Sequence, residues 1–481
     1  MGMKTLRDKL ETLVGRIEAN NVWRQADSVN LIPSESTPSL LVKMCEISDP
    51  AGRYAEHRAM KGEEVYFYQG TDFIRDVEVE AKRELADFFG CTDLELRPIS
   101  GQMANEVVFK GLVRFLNRNK PAGAQPRKLR LVLNNDLNKG GHLSAQPMGA
   151  LFNYVEEDPA TGKERVIHFP VSKDNPYRVD RAALANLLEG GRPELIVFGK
   201  SMFLYPEPVR LVADIVKNWP ERPLLMYDMA HVLGLFGAFQ APLAEGADLV
   251  TGSTHKTFFG PQRGLIAGSF PKGSPLHLLW QDIKNRAFPG STSNHHLGTL
   301  LGLLAAAYEM NAFKPEFPER VRANAKALAR SLKAKGVPVE GDPADGYTET
   351  HQVLIRIKAF GPGQAIARRL EENNILTNYQ ALPDDETFLA SSGIRLGVQE
   401  MTRFGMEAGD FDELAGLMAD CIIRNKRVKD EVRAFRRNFL EMRYCLPERE
   451  AAGLAARILG SVFPQPGVVA ALIDGLRPAG R

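Results

Sequence analysis

From about residue 75 to 300, stretches with apolar residues at helical spacing alternate with short unbroken apolar runs. The helical spacing predicts helices over 75–89, 102–117, 207–219 and 296–312. The runs are RLVLNN (130–135), ELIVFG (194–199), PLLMYDMA (223–230), ADLVTGS (247–253) and GLIAGSF (264–270). Apolar runs that end in Gly, Asp or Ser read as strands buried on both faces of a parallel sheet. Strand–helix alternation of this length predicts an α/β domain, here over 31–310. Ligands of such sheets sit beyond the carboxyl ends of the strands. Ser201, Asp228 and Thr254–Lys256 would fall there.

Leu6, Leu10, Leu13, Val14 and Ile17 repeat at helical spacing, so residues 1–30 read as a helical arm. After about 310 the pattern changes. A helix rich in Ala, Lys and Arg (319–336), strands near 351–357 and 393–398 and a helix near 363–373 predict a smaller α+β domain over 311–425. Residues 426–481 are charged and helical at first, then spotted with Gly and Pro, and read as a C-terminal appendage.

The chain has 481 residues, long enough for several domains, and 61 Lys and Arg stand against 59 Asp and Glu. That balance argues against a nucleic-acid groove, which usually runs strongly basic. No apolar run is long enough to span a bilayer, and MGMKTLRDKLETL does not read as a secretion signal. Cys45, Cys91, Cys421 and Cys445 lack paired spacing, which excludes a zinc ribbon and a disulfide scaffold and predicts a cytoplasmic protein.

The sharpest chemistry lies in TGSTHKTFFGP (251–261), where Lys256 directly follows a predicted strand. It reads either as a surface lysine or as a lysine whose buried amine does Schiff-base chemistry. Asp228 ends the strand PLLMYD, with His231 three positions on. Alone, Asp228 also reads as a helix cap; with Lys256 it suits the pyridinium nitrogen of pyridoxal phosphate. His142 after two glycines reads as a turn residue or a site residue, and Arg395 as a core-edge ion pair or a substrate ligand. His295 and His296 read as the start of a helix rather than metal ligands, because no partner lies at metal spacing. Glu63 and Glu64 read as solvated loop, and 120–127 as a turn-rich linker.

These segments, with LIPSESTPS (31–39), RYAE (53–56), Phe67-Tyr68, RPISGQMAN (97–105), KGGHLS (139–144), AFPGS (287–291) and SGIRLGVQEMTRFG (392–405), occur in the order found in serine hydroxymethyltransferases. The chain resembles that family from about 30 to 405. The resemblance implies the aspartate-aminotransferase fold, fold type I, of pyridoxal phosphate enzymes. It implies that Lys256 holds the cofactor as an imine, Asp228 pairs with the ring nitrogen and His142 stacks on the ring beside Gly140 and Gly141. Ser201 and His231 would lie near the ring hydroxyl; Ser100, Gly101, Gln102 and His255 would hold the phosphate. Gly290 and Ser291, in the loop 290–293, would complete the phosphate site of a neighbouring subunit. Arg395 would grip the amino-acid carboxylate, with Ser34 close by. Tyr54, Glu56 and Tyr68 would handle protons at the β-hydroxyl of the partner subunit's substrate. A homodimer with shared sites, or a tetramer of such dimers, follows.

The chain departs from the family pattern on the folate side. Phe67-Tyr68 stands for a tyrosine pair, Asn378-Tyr379-Gln380 for Asn-Lys-Asn, Gln262 for an arginine, Ser291–Asn294 for Gly-Gln-Gly-Gly, and Lys139 for a histidine. The segment 57–68 reads as a long loop and candidate lid. Several of these features are similar to the L-threonine transaldolase and fluorothreonine-type branch. That resemblance implies cleavage of L-threonine to acetaldehyde and a glycine quinonoid, which adds to a second aldehyde without folate. The alternatives are serine/glycine interconversion with tetrahydrofolate, or other amino-acid chemistry on the same cofactor. A non-catalytic scaffold has no need of Lys256, Asp228, His142 and Arg395 together.

Overall fold

The computed structural model describes residues 4–60, 63–121 and 123–476. Contacts divide the chain into two units, 34–318 with 444–481, and 1–33 with 319–443.

The larger unit is built on a seven-stranded sheet. Val166–His168, Val132–Asn134, Leu195–Phe198, Leu224–Asp228 and Leu249–Ser253 run parallel, neighbour to neighbour in that order. Gly264–Gly268 then pairs antiparallel with Leu249–Ser253, and Asp93–Glu95 antiparallel with Gly264–Gly268. The runs read from the sequence are the buried strands: every residue of Leu195–Phe198, Leu224–Asp228 and Leu249–Ser253 is buried. Burial on both faces is why they show no polar alternation.

The helix Gly101–Leu116 covers one face. Ala104, Val107, Val108 and Leu112 form its inner stripe and share a core with Val132, Val197, Leu224 and Met226. Burying each such aliphatic side chain contributes about 1.5–3 kcal/mol. Ser100 starts the helix by accepting from the Met103 N–H. The C-terminal helix Glu448–Val462 packs on Leu40–Glu46 in this same unit.

The smaller unit carries an antiparallel sheet with Gly393–Gly397 between Gln352–Arg356 and Asn378–Gln380. Val29–Asn30 pairs with Ile375–Leu376, which ties the end of the N-terminal arm into this unit. The sequence placed breaks near 30, 310 and 425; the contacts break after Pro33, Pro318 and Arg443. The last shift has a local cause. Arg436 is fully buried, donates to the Ser28 carbonyl at 3.1 Å and lies over the Phe404 ring at 4.4 Å, so residues beyond 425 stay with this unit.

Most of the described part of segment 57–68 is strand rather than loop. His57–Met60 and Glu63–Tyr66 form an antiparallel ribbon with His57 opposite Tyr66, and Glu63 and Glu64 are exposed strand residues.

Candidate active site

Strand pairing brings the two sharpest sequence signals together. Asp228 ends its strand opposite Thr251 of the next one, five residues before Lys256. Lys256 is only 8% exposed, so the surface-lysine reading falls. Its Nζ lies 3.3 Å from His231 Nε2, and Thr257 Oγ1 donates to the His231 carbonyl at 3.0 Å.

Asp228 is buried and accepts at both oxygens. Oδ1 takes the Ala230 N–H at 3.0 Å; Oδ2 takes Asn105 Nδ2 at 2.8 Å and Ser144 Oγ at 3.4 Å, and stands 2.5 Å from His142 Nδ1. Burial alone would raise this carboxyl, but the charge and hydrogen bond of His142, with the Ala230 and Asn105 donors, hold it down at about 2. His142 is thus bonded to Asp228, and it meets the His231 ring edge-on at 5.6 Å. Gly140 and Gly141 serve the chain itself. Gly140 has φ 90°, and a side chain on Gly141 would strike the Asn135 carbonyl. Ser201 is fixed by its N–H to the Gly140 carbonyl at 2.8 Å.

Ser100 and Gly101 stand at the start of their helix, and Gly101 packs on Ser253 just before the Lys256 turn. A helix start with free N–H groups suits a phosphate. His255 Nδ1 is buried with no hydrogen-bond partner among the described residues. Burial first, and the Lys256 charge second, push His255 down to about 4. An orphaned ring nitrogen beside a helix N-terminus, a buried lysine and an ionised aspartate fit pyridoxal phosphate. Gln102 is exposed and lines a depression with Glu106, Phe152 and Tyr154. Ser34 is half-buried, and its segment is tied to the lysine turn by the Ser36 N–H on the His255 carbonyl at 3.0 Å.

Tyr54, Glu56 and Tyr68 form a second grouping. The Tyr54 and Tyr68 rings stand 5.3 Å apart and are 51% and 42% exposed. Tyr68 is raised by desolvation and by Glu56. Asn294 donates to the Arg53 carbonyl at 2.6 Å and accepts the Ala55 N–H at 3.4 Å, which joins this grouping to the segment holding Gly290 and Ser291. Gly290 is exposed, and Ser291 Oγ lies 3.4 Å from Lys110 Nζ.

Beneath the ribbon, His57, Glu78 and His295 bring ligand-type atoms within 4.8 Å of one another. The cation against Glu78 is Lys82, 2.7 Å from Oε1. Arg263 donates to His295 Nδ1 at 3.1 Å, which leaves the His295 proton on Nε2, so the trio reads as an internal charge network. Burial first, then the Arg263 charge, push His295 down to about 3, whereas Glu78 outweighs burial and holds His57 above its ordinary value.

The two histidines act in different pH windows. The unfolded chain binds a proton at His295 below about 6.5 while the folded chain does not, so stability falls as pH drops. His57 adds no slope there, since both states are protonated below about 6.5. From pH 6.5 to 5 the wild type is expected to lose about 2 kcal/mol more than the His295→Asn variant in urea unfolding. Parallel pH profiles would remove His295 as the cause.

In the other unit, Arg395 is buried and its Nε donates to Asn378 Oδ1 at 3.3 Å. Burial pushes the guanidinium down to about 10, as for a cation made to meet an anion. The residues missed from sequence are Asn105, Ser144 and Arg263. Asn105 lies one helical turn after Gly101, a spacing that puts both on one face. Arg263, next to the departure at Gln262, is fully buried and bonds the carbonyls of Leu96, His295 and His296.

A lysine and an aspartate at adjoining strand ends of this sheet define a pyridoxal-phosphate-dependent transferase of fold type I. Comparison with known proteins then narrows the class. The sequence profile of the serine hydroxymethyltransferase family matches residues 8–418. A serine hydroxymethyltransferase of Pyrobaculum islandicum is 36% identical over 91% of this chain and 95% of its own. That of Aeropyrum pernix is 36% identical over 90% and 92%. The crystal structure of L-threonine transaldolase from Pseudomonas fluorescens in its internal aldimine state superimposes with TM-score 0.78 and 26% identity, over 94% of this chain and 97% of that one. The chain belongs to the serine hydroxymethyltransferase family, and its cofactor is pyridoxal 5'-phosphate. No described helix is long and apolar enough to cross a membrane.

Proposed function

We propose that this enzyme makes and breaks the Cα–Cβ bond of β-hydroxy-α-amino acids, as an L-threonine:aldehyde transaldolase that works without folate. The observation that carries the reading is a phenylalanine contact next in sequence to the Tyr54, Glu56 and Tyr68 grouping. Tyr54, Glu56 and Tyr68 remain together, while Phe67, in place of a phenol, faces Phe288 with ring centroids 6.3 Å apart. A phenylalanine where the family pattern has a phenol removes one hydrogen-bonding group, which suits a free aldehyde better than a polar folate.

In this reading Arg395 binds the substrate carboxylate as a two-pronged donor. Lys256 supplies the amine that takes up and releases the cofactor, and pyridoxal phosphate, when bound, supplies the sink for the electron pair left at Cα. Asp228, ionised, holds a proton at the ring nitrogen; Ser100, Gly101 and His255 hold the phosphate. Glu56 and Tyr68 take the β-hydroxyl proton on cleavage and return it when the second aldehyde adds. Tyr54, Glu56, Tyr68, Gly290 and Ser291 serve the partner subunit of a homodimer. The exposure of Tyr54, Tyr68 and Gly290, the tie through Asn294 and the exposed Leu6, Leu10, Leu13 and Ile17 of the N-terminal helix support that assembly. The four free cysteines suit the cytoplasm.

The identity to enzymes named serine hydroxymethyltransferase favours a second reading, serine/glycine interconversion with tetrahydrofolate. Acetaldehyde release from L-threonine, with and without a second aldehyde and with and without tetrahydrofolate, separates the two. The transaldolase releases acetaldehyde without folate and makes a new β-hydroxy-α-amino acid. Turnover of serine alone, and only with tetrahydrofolate, overturns it.

A further inference from the structure

We infer that the larger unit has a second ligand site, for a small amphipathic anion, at the amino ends of its parallel strands. A cavity of about 630 Å³ opens there between the last turns of the helix Gly101–Leu116 and the first of the helix His277–Ala287. That size is in the range of small-molecule sites. Leu224, which starts the strand that Asp228 ends, lies in its wall, so the cavity is at the opposite end of the sheet from Lys256.

Its floor is apolar. Leu112, Leu224 and Leu279 are buried members of the sheet core, and Phe115, Leu116 and Leu276 pack on that core while keeping surface toward the cavity. Its rim carries three guanidiniums, each paired with a carboxylate. Glu194, nearly buried, is shared by Arg127 Nη1 at 2.9 Å and Arg130 Nε at 2.7 Å, one carboxylate against two guanidiniums. Arg222 is answered by Asp248 at 2.7 Å. Among the described residues Arg130 is paired besides with Glu221, 77% exposed, and ion pairs in water contribute little. The rim charges thus balance, but Arg130 owes part of its pairing to an exposed carboxylate, which an anion lying over the apolar floor can replace. Ser274, also in the wall, has a buried hydroxyl with no hydrogen-bond partner among the described residues. An aryl or medium-chain alkyl group bearing one carboxylate or sulfonate matches this arrangement. The apolar part would lie on the leucine floor, the anion on Arg130 and a second oxygen on Ser274. The inference is independent of the reaction proposed above.

Fluorescence titration of the cofactor-loaded enzyme with 8-anilinonaphthalene-1-sulfonate, with octanoate as competitor, tests it. One saturable site per chain is expected, displaced by octanoate and weakened at least about tenfold by Arg130→Gln, with turnover unchanged. Leu276→Glu, which puts a like charge on the floor, is expected to weaken it as much. Because Arg130 is half-exposed, its substitution spares the fold and decides the matter if Leu276→Glu does not fold. Unsaturable binding, or binding untouched by Arg130→Gln, overturns the proposal.

Discussion

Lys256→Ala is expected to lower turnover of every amino-acid substrate by roughly 10³-fold or more, the largest effect of any single change in this chain. The lysine is buried beside His231, and no other amine stands at the end of the Asp228 strand in the described residues. The variant is expected to fold. Removing a buried ammonium spares its desolvation cost, and Thr257 still ties the turn to the His231 carbonyl. Thermal unfolding should therefore move little, while the visible absorbance of covalently held pyridoxal phosphate disappears. Added methylamine should restore part of the activity by supplying the missing amine. A variant that keeps more than a tenth of wild-type turnover would place the covalent chemistry elsewhere.

Asp228→Asn is expected to cost about 3 kcal/mol or more at the transition state, roughly 10²-fold in turnover. Two effects add. The neutral amide cannot hold a proton at the ring nitrogen, so the electron sink weakens. The amide also fits its neighbours badly. Asp228 Oδ2 accepts from Asn105 and Ser144, and an NH₂ there would set donor against donor. The outcome is read as a fall in kcat with a smaller change in KM, because Arg395, proposed above to bind the substrate carboxylate, is untouched. The acid limb of the pH profile supplies a second check. Asp228 is held at about 2, so no loss of rate from its protonation is expected between pH 7 and 4. A limb that vanishes in the variant would show that the aspartate titrates in the working range and that its environment has been misjudged.

Much of this was legible along the chain. Local sequence determined the buried strands, because runs such as LIVF, and LLMY before Asp228, have no charged positions to expose. It also determined the inner stripe of the helix Gly101–Leu116 and the strand-end placement of Asp228 and Lys256, because period and strand termini are set by neighbouring residues. Three matters were decided only in the folded chain. Segment 57–68 pairs with itself as a ribbon, and its composition of charged and aromatic residues carries no alternation to announce that. Asn105, Ser144 and His142 converge on one carboxylate from 84 to 123 residues away, and polar residues give no periodic signal of where they point. His295 does stand at a helix start, with His296 capping the helix Leu297–Phe313, but only the fold placed its buried neutral imidazole in a network with Glu78, Lys82 and Arg263. Periodicity reports which face of an element avoids water, a property of adjacent residues. Which polar groups then meet inside depends on how distant elements pack, and the chain encodes that only through the whole fold.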